Sequence, residues 1–432
     1  MNEKIYWSKL DHSAKIYPIL ISDRFTYVFR VSATLKELID KNLLYQAILE
    51  LKPRFPSFYV RLKRGLFWYY FEENLKDPIL DMETGLVCEK IDKVFNNRYL
   101  FKYLYYGKRI SLEINHVLTD GSGAIVFLKA VVFRYLELKG KKVVRDDSIF
   151  IVNEEVDKEE IEDAFVKNYK GGNLNPPEVP KAYFKKKKIF NSYGSGVINS
   201  FIDSKQLIGL AKAKNASLTQ YIVALLTYSM IKTGNKKLLK KLPVNICVPV
   251  NLRSIYNSKT LSNFSLYFHS SYKAKEELDF DDILNKVKLN FKEEYNQEKI
   301  QSKLDTICVI QKKTFIKIIP LFIKYIIFKI GYQAFGRRPT SLTVSNFGVV
   351  KLPESMREHI KSFSFYMGAG QKHAVAVNSY NDKTSIVFSR AMINTNLEEV
   401  FFNFLTERGI EVEIVSNYWE MKERKFKHLK KG

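Results

Sequence analysis

The sequence predicts an α/β protein built as two lobes, and three observations carry that expectation. At 432 residues the chain exceeds what one ordinary hydrophobic core accommodates. Runs with strand-type alternation are interleaved with stretches whose apolar residues recur at helical spacing. Between Asn168 and Phe190, "NYKGGNLNPPEVPKAYFKKKKIF" gathers paired glycines, three prolines and a lysine run, which is the composition of a linker. The expected organisation is an amino-terminal lobe at 1–167, a linker at 168–190 and a carboxyl-terminal lobe at 191–432.

In chain order, "RFTYVFRV" at 24–31 reads as a strand. Ser32 or Thr34 is placed to cap a following helix on which Leu35, Leu38, Ile39, Leu43, Ala47 and Ile48 share a face. The aromatic and β-branched run "SFYVRLKRGLFWYYFEEN" predicts a hairpin with Gly65 in its turn. "RISLEIN" alternates Ile110, Leu112 and Ile114 with Ser111 and Glu113, a strand that ends just before His116. A helix is expected from about Ser122 to Leu138, with Ile125, Leu128, Val132, Tyr135 and Leu136 on its apolar side. Past the linker, "SLTQYIVALLTYSMIKTG" predicts a helix stopped by Gly234, and "LPVNICVPVNLRS" an extended buried segment. "SLTVSNFGVV", "HAVAVNSY" and "KTSIVFSRA" read as strands, and "MKERKFKHLKKG" as a solvated basic end.

The bulk composition narrows the function classes. Hydrophobic content of 46% beside 27% charge belongs to a folded protein. The net charge of +24 is spread along the chain instead of concentrated in a tail or one recognition helix. That distribution argues against nucleic acid and favours anionic cofactors or lipid surfaces. Cys88, Cys247 and Cys308 are far apart and form no CxxC pair, so neither a disulfide framework nor a zinc cluster is expected, and a reducing cytoplasm fits. "MNEKIYWSKLDHSAKIYPIL" has no basic region followed by an uninterrupted apolar run, so a secretory signal is not expected there.

The most apolar segment, "KKTFIKIIPLFIKYIIFKIGY", is broken by lysines and Pro320, so it does not read as a membrane span. Lys313, Lys317 and Lys324 fall near one side of an ideal helix. Two readings stay open: the apolar side packs onto the second lobe or lines a tunnel with its lysines in solvent, or the helix lies on anionic lipid as a peripheral contact.

The stretch "SLEINHVLTDGSG" sets His116 four residues before Asp120, with Gly121 next. The alternating strand before it and the Gly-Ser-Gly after it indicate a turn, so the two side chains do not share a helical face, and no second ligand pair suggests a metal. One reading is a structural corner in which Asp120 satisfies turn amides. The other is catalytic: an imidazole on a rigid strand end can take a proton from a nucleophile at neutral pH and return it to a leaving group.

"HVLTDG", His116 to Gly121, resembles the HxxxDG signature of the coenzyme-A-dependent acyltransferase superfamily. That superfamily includes chloramphenicol acetyltransferase, plant acyltransferases, mycobacterial polyketide-associated acyltransferases and peptide-synthetase condensation domains. "KLDHSAKIYP", "RFPSFYVRLKRGLFWYYFEEN", "VPVNLRS" with the following "SNF", and "SLTVSNFGVV" resemble, in order, the landmarks of its alcohol acetyltransferase-like members, so the likeness spans essentially the whole chain. Where plant members carry DFGWG, this chain has "SNFGVV", keeping Phe347 and Gly348 but lacking the aspartate and tryptophan.

The resemblance implies two related lobes, each a mixed sheet flanked by helices, with a tunnel at their interface and His116 midway along it. It implies direct transfer of an acyl group from acyl-CoA, used as a co-substrate with no bound cofactor or metal, to a small alcohol or lipid hydroxyl. It also implies a structural pair of Asp120 with Arg253 beside Gly121. Asn263, Ser345 and Asn346 are candidates for stabilising the oxyanion or lining the tunnel. The alternatives within the resemblance are a condensation-like or lipid-directed enzyme using a carrier-protein thioester or an amine, and a catalytically silent relative serving as a binding or membrane-surface module. His269 and His373, each alone in a strand-like context, read as packed or exposed histidines.

Overall fold

The computed structural model describes residues 6–172, 180–184, 188–190, 194–312, 314–332, 338–370 and 372–417. The basic end at 421–432, Lys313 and part of the linker lie outside them.

Strand Arg109–Asn115 is the centre of a five-stranded sheet. Its order is Ile360–Met367, Val28–Leu35, Arg109–Asn115, Phe101–Tyr106 and Leu80–Met82, antiparallel except for the last pair. A seven-stranded sheet runs Ser265–Tyr272, Val244–Asn251, Leu342–Val349, His373–Tyr380, Lys383–Arg390, Gly196–Asp203 and Val412–Ser416. Leu342–Val349 is parallel to both of its neighbours, so this sheet is mixed as well. The edge strand Ile360–Met367 of the first sheet is drawn from the second half of the chain, so sheet membership does not follow chain order across the linker.

The expected hairpin forms from Val60–Arg64 and Tyr69–Glu73, with the Gly65 N–H donating to the Trp68 carbonyl at 3.0 Å, and Trp7–Lys9 adds a third strand. Helix Leu218–Lys232 is closed at its start by a capping box of Ser217 and Gln220. The first helix departs from expectation. The strand before it extends through Leu35, the helix spans Lys41–Glu50, and Asp40 caps it by accepting from the Asn42 and Leu43 N–H groups. Ser32 is instead a strand residue whose hydroxyl meets that of Ser111 at 2.8 Å, and Thr34 pairs across to Arg109.

An aromatic core of Phe55, Phe58, Tyr59, Phe101, Tyr103 and Phe127 fills the first half, where ring centroids around Phe127 lie 4.8–5.8 Å away. A second core includes Ile222, Leu225, Ile246, Val375, Val377, Ile386 and Phe401. Strand Arg109–Asn115 is buried on both faces despite its alternating sequence. Glu113 is tolerated there because Arg30 binds it at 2.7 Å, Lys102 lies at 3.2 Å and the Cys88 N–H donates at 2.7 Å. The three cysteines are buried thiols.

Candidate active site

His116 sits where strand Arg109–Asn115 turns into helix Gly121–Leu138. Asn115 shapes the turn, accepting from the Val117 N–H at 3.0 Å and donating to the Thr26 carbonyl at 3.0 Å. The His116 N–H donates to the Tyr27 carbonyl at 2.8 Å. The half-buried imidazole lies between the rings of Tyr17, stacked at 5.4 Å, and Phe29 at 4.6 Å. Burial among these rings lowers its pKa below the usual 6.5, more than the neighbouring Asp120 raises it, so the neutral imidazole is favoured at pH 7.

Asp120 faces away from the imidazole in its hydrogen bonding. One carboxylate oxygen caps the helix, accepting from the Ser122 and Gly123 N–H groups at 3.1 and 3.4 Å. The other accepts from Arg253 Nη1 and the Phe264 N–H, both at 2.9 Å. Burial pushes this carboxyl up, but the guanidinium and the donors outweigh it and hold it below the usual range. The remaining nitrogens of Arg253 donate to the carbonyls of Thr260 at 2.7 Å and Ser262 at 2.6 Å. This pair therefore ties the histidine corner to the loop at 260–264. Gly121 is required by contact: a Cβ there would collide with the Phe347 ring.

Asn263, carried by the same loop, is fully buried against His116. Its Nδ2 donates to the His116 carbonyl at 3.0 Å and to Asp11 Oδ2 at 2.9 Å. Two acceptors on the amide nitrogen fix which end is which, because a flipped amide would set oxygen against both. Oδ1 is then the atom facing His116 Nδ1, at a long 3.4 Å. An acceptor there favours the tautomer with the proton on Nδ1, leaving the Nε2 lone pair free. Both Nδ2 protons of Asn263 are thus engaged within the protein.

Asn346 is also engaged elsewhere, donating to Thr219 Oγ1 at 2.9 Å and accepting from the Gly348 N–H at 2.8 Å. Ser345 is half-buried two residues before Phe347, the residue that touches Gly121. His269 and His373 pack into strands of the other sheet, against Thr340 at 2.9 Å and Glu398 at 3.5 Å.

Asp11 escaped the sequence reading. It is buried, accepts from the Ala14 N–H at 2.7 Å, the Asn263 N–H at 3.3 Å and the Asn263 side chain, and burial raises its carboxyl to about 7. All three partners are donors, which suits the ionised form. A recess of about 440 Å³ lined by Lys170, Gln297, Gln301 and Asp305 includes none of these residues.

No protein-family model and no curated protein matches the sequence. Solved structures do match in fold. The polyketide synthase associated protein 5 from Mycobacterium tuberculosis superposes with a TM-score of 0.60 at 14% identity, covering 91% of this chain and 96% of that one. TRI3 trichothecene 15-O-acetyltransferase from Fusarium sporotrichioides gives 0.53 at 9% identity over 90% and 91%. The starter condensation domain of rhizomide synthetase, in complex with C8-CoA and Leu-SNAC, gives 0.54 at 11% identity over 89% of each chain. The fold is that of the two-lobed acyltransferases and condensation domains, over nearly the full length of the chain.

Proposed function

We propose that the chain is an acyl-CoA-dependent O-acyltransferase in which His116 is the general base. The observation that supports this reading is the Asn263 amide, whose oxygen faces His116 Nδ1 at 3.4 Å and so favours the tautomer that leaves Nε2 free to act as the base. Nε2 takes the proton of the acceptor hydroxyl as its oxygen attacks the thioester carbonyl. The tetrahedral oxyanion collapses, the C–S bond breaks, and the proton passes from His116 to the CoA thiolate. Ester and free thiol are the products, and no covalent acyl-enzyme forms. Ser345, two residues before the Phe347 that lies against Gly121, is the candidate left to donate to the oxyanion, since Asn263 and Asn346 are engaged elsewhere. Asp120 and Arg253 hold the corner. A tunnel between the halves admits the donor and acceptor, and the excess of basic charge favours the CoA phosphates.

The likeness to a condensation domain and to a polyketide synthase associated protein supports a second reading, in which a carrier-protein thioester is the donor or an amine the acceptor. Incubating the protein with a panel of acyl-CoAs and with alcohol and amine acceptors, and following free thiol, separates the two. Thiol release with alcohols supports O-acylation. Turnover confined to amines or to carrier-bound acyl groups overturns it in favour of the second reading.

The orienting chain yields two further expectations. Asp11→Asn should lower kcat with little change in KM, because the amide it introduces sets N–H groups against the donors that Asp11 now accepts and releases Asn263; unchanged kcat would remove Asp11 from the site's design. Activity should also fall on acidification. Proton uptake by Asp11, at about 7, loosens Asn263, and uptake by His116, below 6.5, removes the base. The kcat/KM profile is therefore expected to show an acid limb at or below pH 7 to which both groups contribute. A rate independent of pH from 5 to 8 would contradict this.

A further inference from the structure

Helix Leu321–Gly331 is seated with its apolar side outward. Phe322, Ile326 and Ile330, spaced four residues apart on one face, are 61%, 58% and 67% exposed, with Ile323 and Ile327 beside them. The side turned inward carries Leu321 and, unusually, Lys324, which is 1% exposed. Lys324 Nζ lies 3.7 Å over the Trp68 ring and donates to the Phe67 carbonyl at 2.9 Å, so the hairpin tip offers the cation a better seat than it offers an isoleucine. Burial lowers this lysine to about 8. The Leu321 N–H is bonded to the Leu66 carbonyl at 2.9 Å, which brings Leu66, 70% exposed, and Phe67 alongside the helix. The result is one apolar surface contributed by a helix and a hairpin tip. Such surfaces on a folded protein mark interaction sites.

The helix segment and the hairpin tip carry charges of one sign. Lys317, Lys329 and Arg64 are exposed at its border, and the sequence has no acidic residue between Asp305 and Glu354 or between Glu50 and Glu72. A second copy applied through the same face would bring like charges together. We propose that this face docks the protein on an anionic lipid bilayer, with the helix lying in the headgroup region, its isoleucines and phenylalanine in the acyl chains and its basic border against lipid phosphates or carboxylates.

The same helix reaches toward His116. Tyr332, just past its end, lies 6.4 Å from the Tyr27 ring, whose backbone carbonyl holds the His116 N–H, and Tyr17 bridges Tyr27 at 5.2 Å to His116 at 5.4 Å. On the acyl-transfer reading, docking delivers a bilayer-resident hydroxyl or a long acyl chain to the aromatic wall of the site.

Sedimentation with vesicles of phosphatidylcholine alone or with phosphatidylserine tests the docking without any assay of activity, so its failure leaves the acyl-transfer reading standing. The wild type is expected to pellet with the anionic vesicles at low salt and to be released as salt rises. Phe322→Glu with Ile326→Glu, at positions already in solvent, should weaken binding by about ten-fold or more with an unchanged melting temperature. Lys317→Glu with Lys329→Glu should abolish the preference for phosphatidylserine. Wild-type protein that stays in the supernatant at low salt overturns the proposal. So does a dimer in solution that these substitutions dissociate, or vesicle binding that they leave unchanged.

Discussion

His116→Ala is expected to fold normally and to lose acyl transfer by roughly 100-fold to 10,000-fold or more, the range that general acid–base catalysis supplies. Both proton transfers of the proposed reaction pass through this imidazole, so the substitution removes the base and the proton return together. The ring packs against Tyr17 and Phe29 and meets Asn263 at a long 3.4 Å, while Asp120 and Arg253 carry the hydrogen bonds that tie the corner to the loop at 260–264, which is why the fold tolerates its removal. The melting temperature and the thiol-release rate of the same preparation check this together. A folded variant with near wild-type turnover would mean that His116 only shapes a turn.

Asp120→Ala is expected to act in the opposite order, on stability first. It leaves Arg253, half-buried, without its carboxylate, and strips the Phe264 N–H and the first amides of helix Gly121–Leu138 of an acceptor. Breaking a buried pair costs about 3–5 kcal/mol. Because the folded-state pKa of Asp120 is depressed below the usual 3.8, its contribution is present at neutral pH and is lost as pH falls through that lower value. Denaturant titration at pH 7 should show the loss, and equal stability of variant and wild type would refute the pairing.

The histidine corner was legible in the sequence because everything that defines it is local: an alternating strand, a cap and two glycines within thirteen residues. The hairpin was legible for the same reason, with Gly65 marking its turn. Contacts between distant segments were not. Asp11 and Asn263 are 252 residues apart, and nothing in "KLDHSAKIYP" announces that its aspartate will meet an amide beside the histidine. Strand Ile360–Met367 gives no local sign that it will cross to the first sheet. Helical spacing separated the apolar from the basic side of "FIKYIIFKI" but could not say which would face inward. The Trp68 ring, brought by another part of the chain, decided that in favour of Lys324.

A single-turnover reaction of wild-type protein with an acyl-CoA and an accepted alcohol, in which free thiol and ester are quantified while the intact protein mass is followed, bears most directly on direct transfer at His116. One thiol released per ester formed, with release dependent on the alcohol and no acyl adduct on the protein, is the predicted result. Thiol released without alcohol, or an acylated protein that precedes the ester, would contradict it.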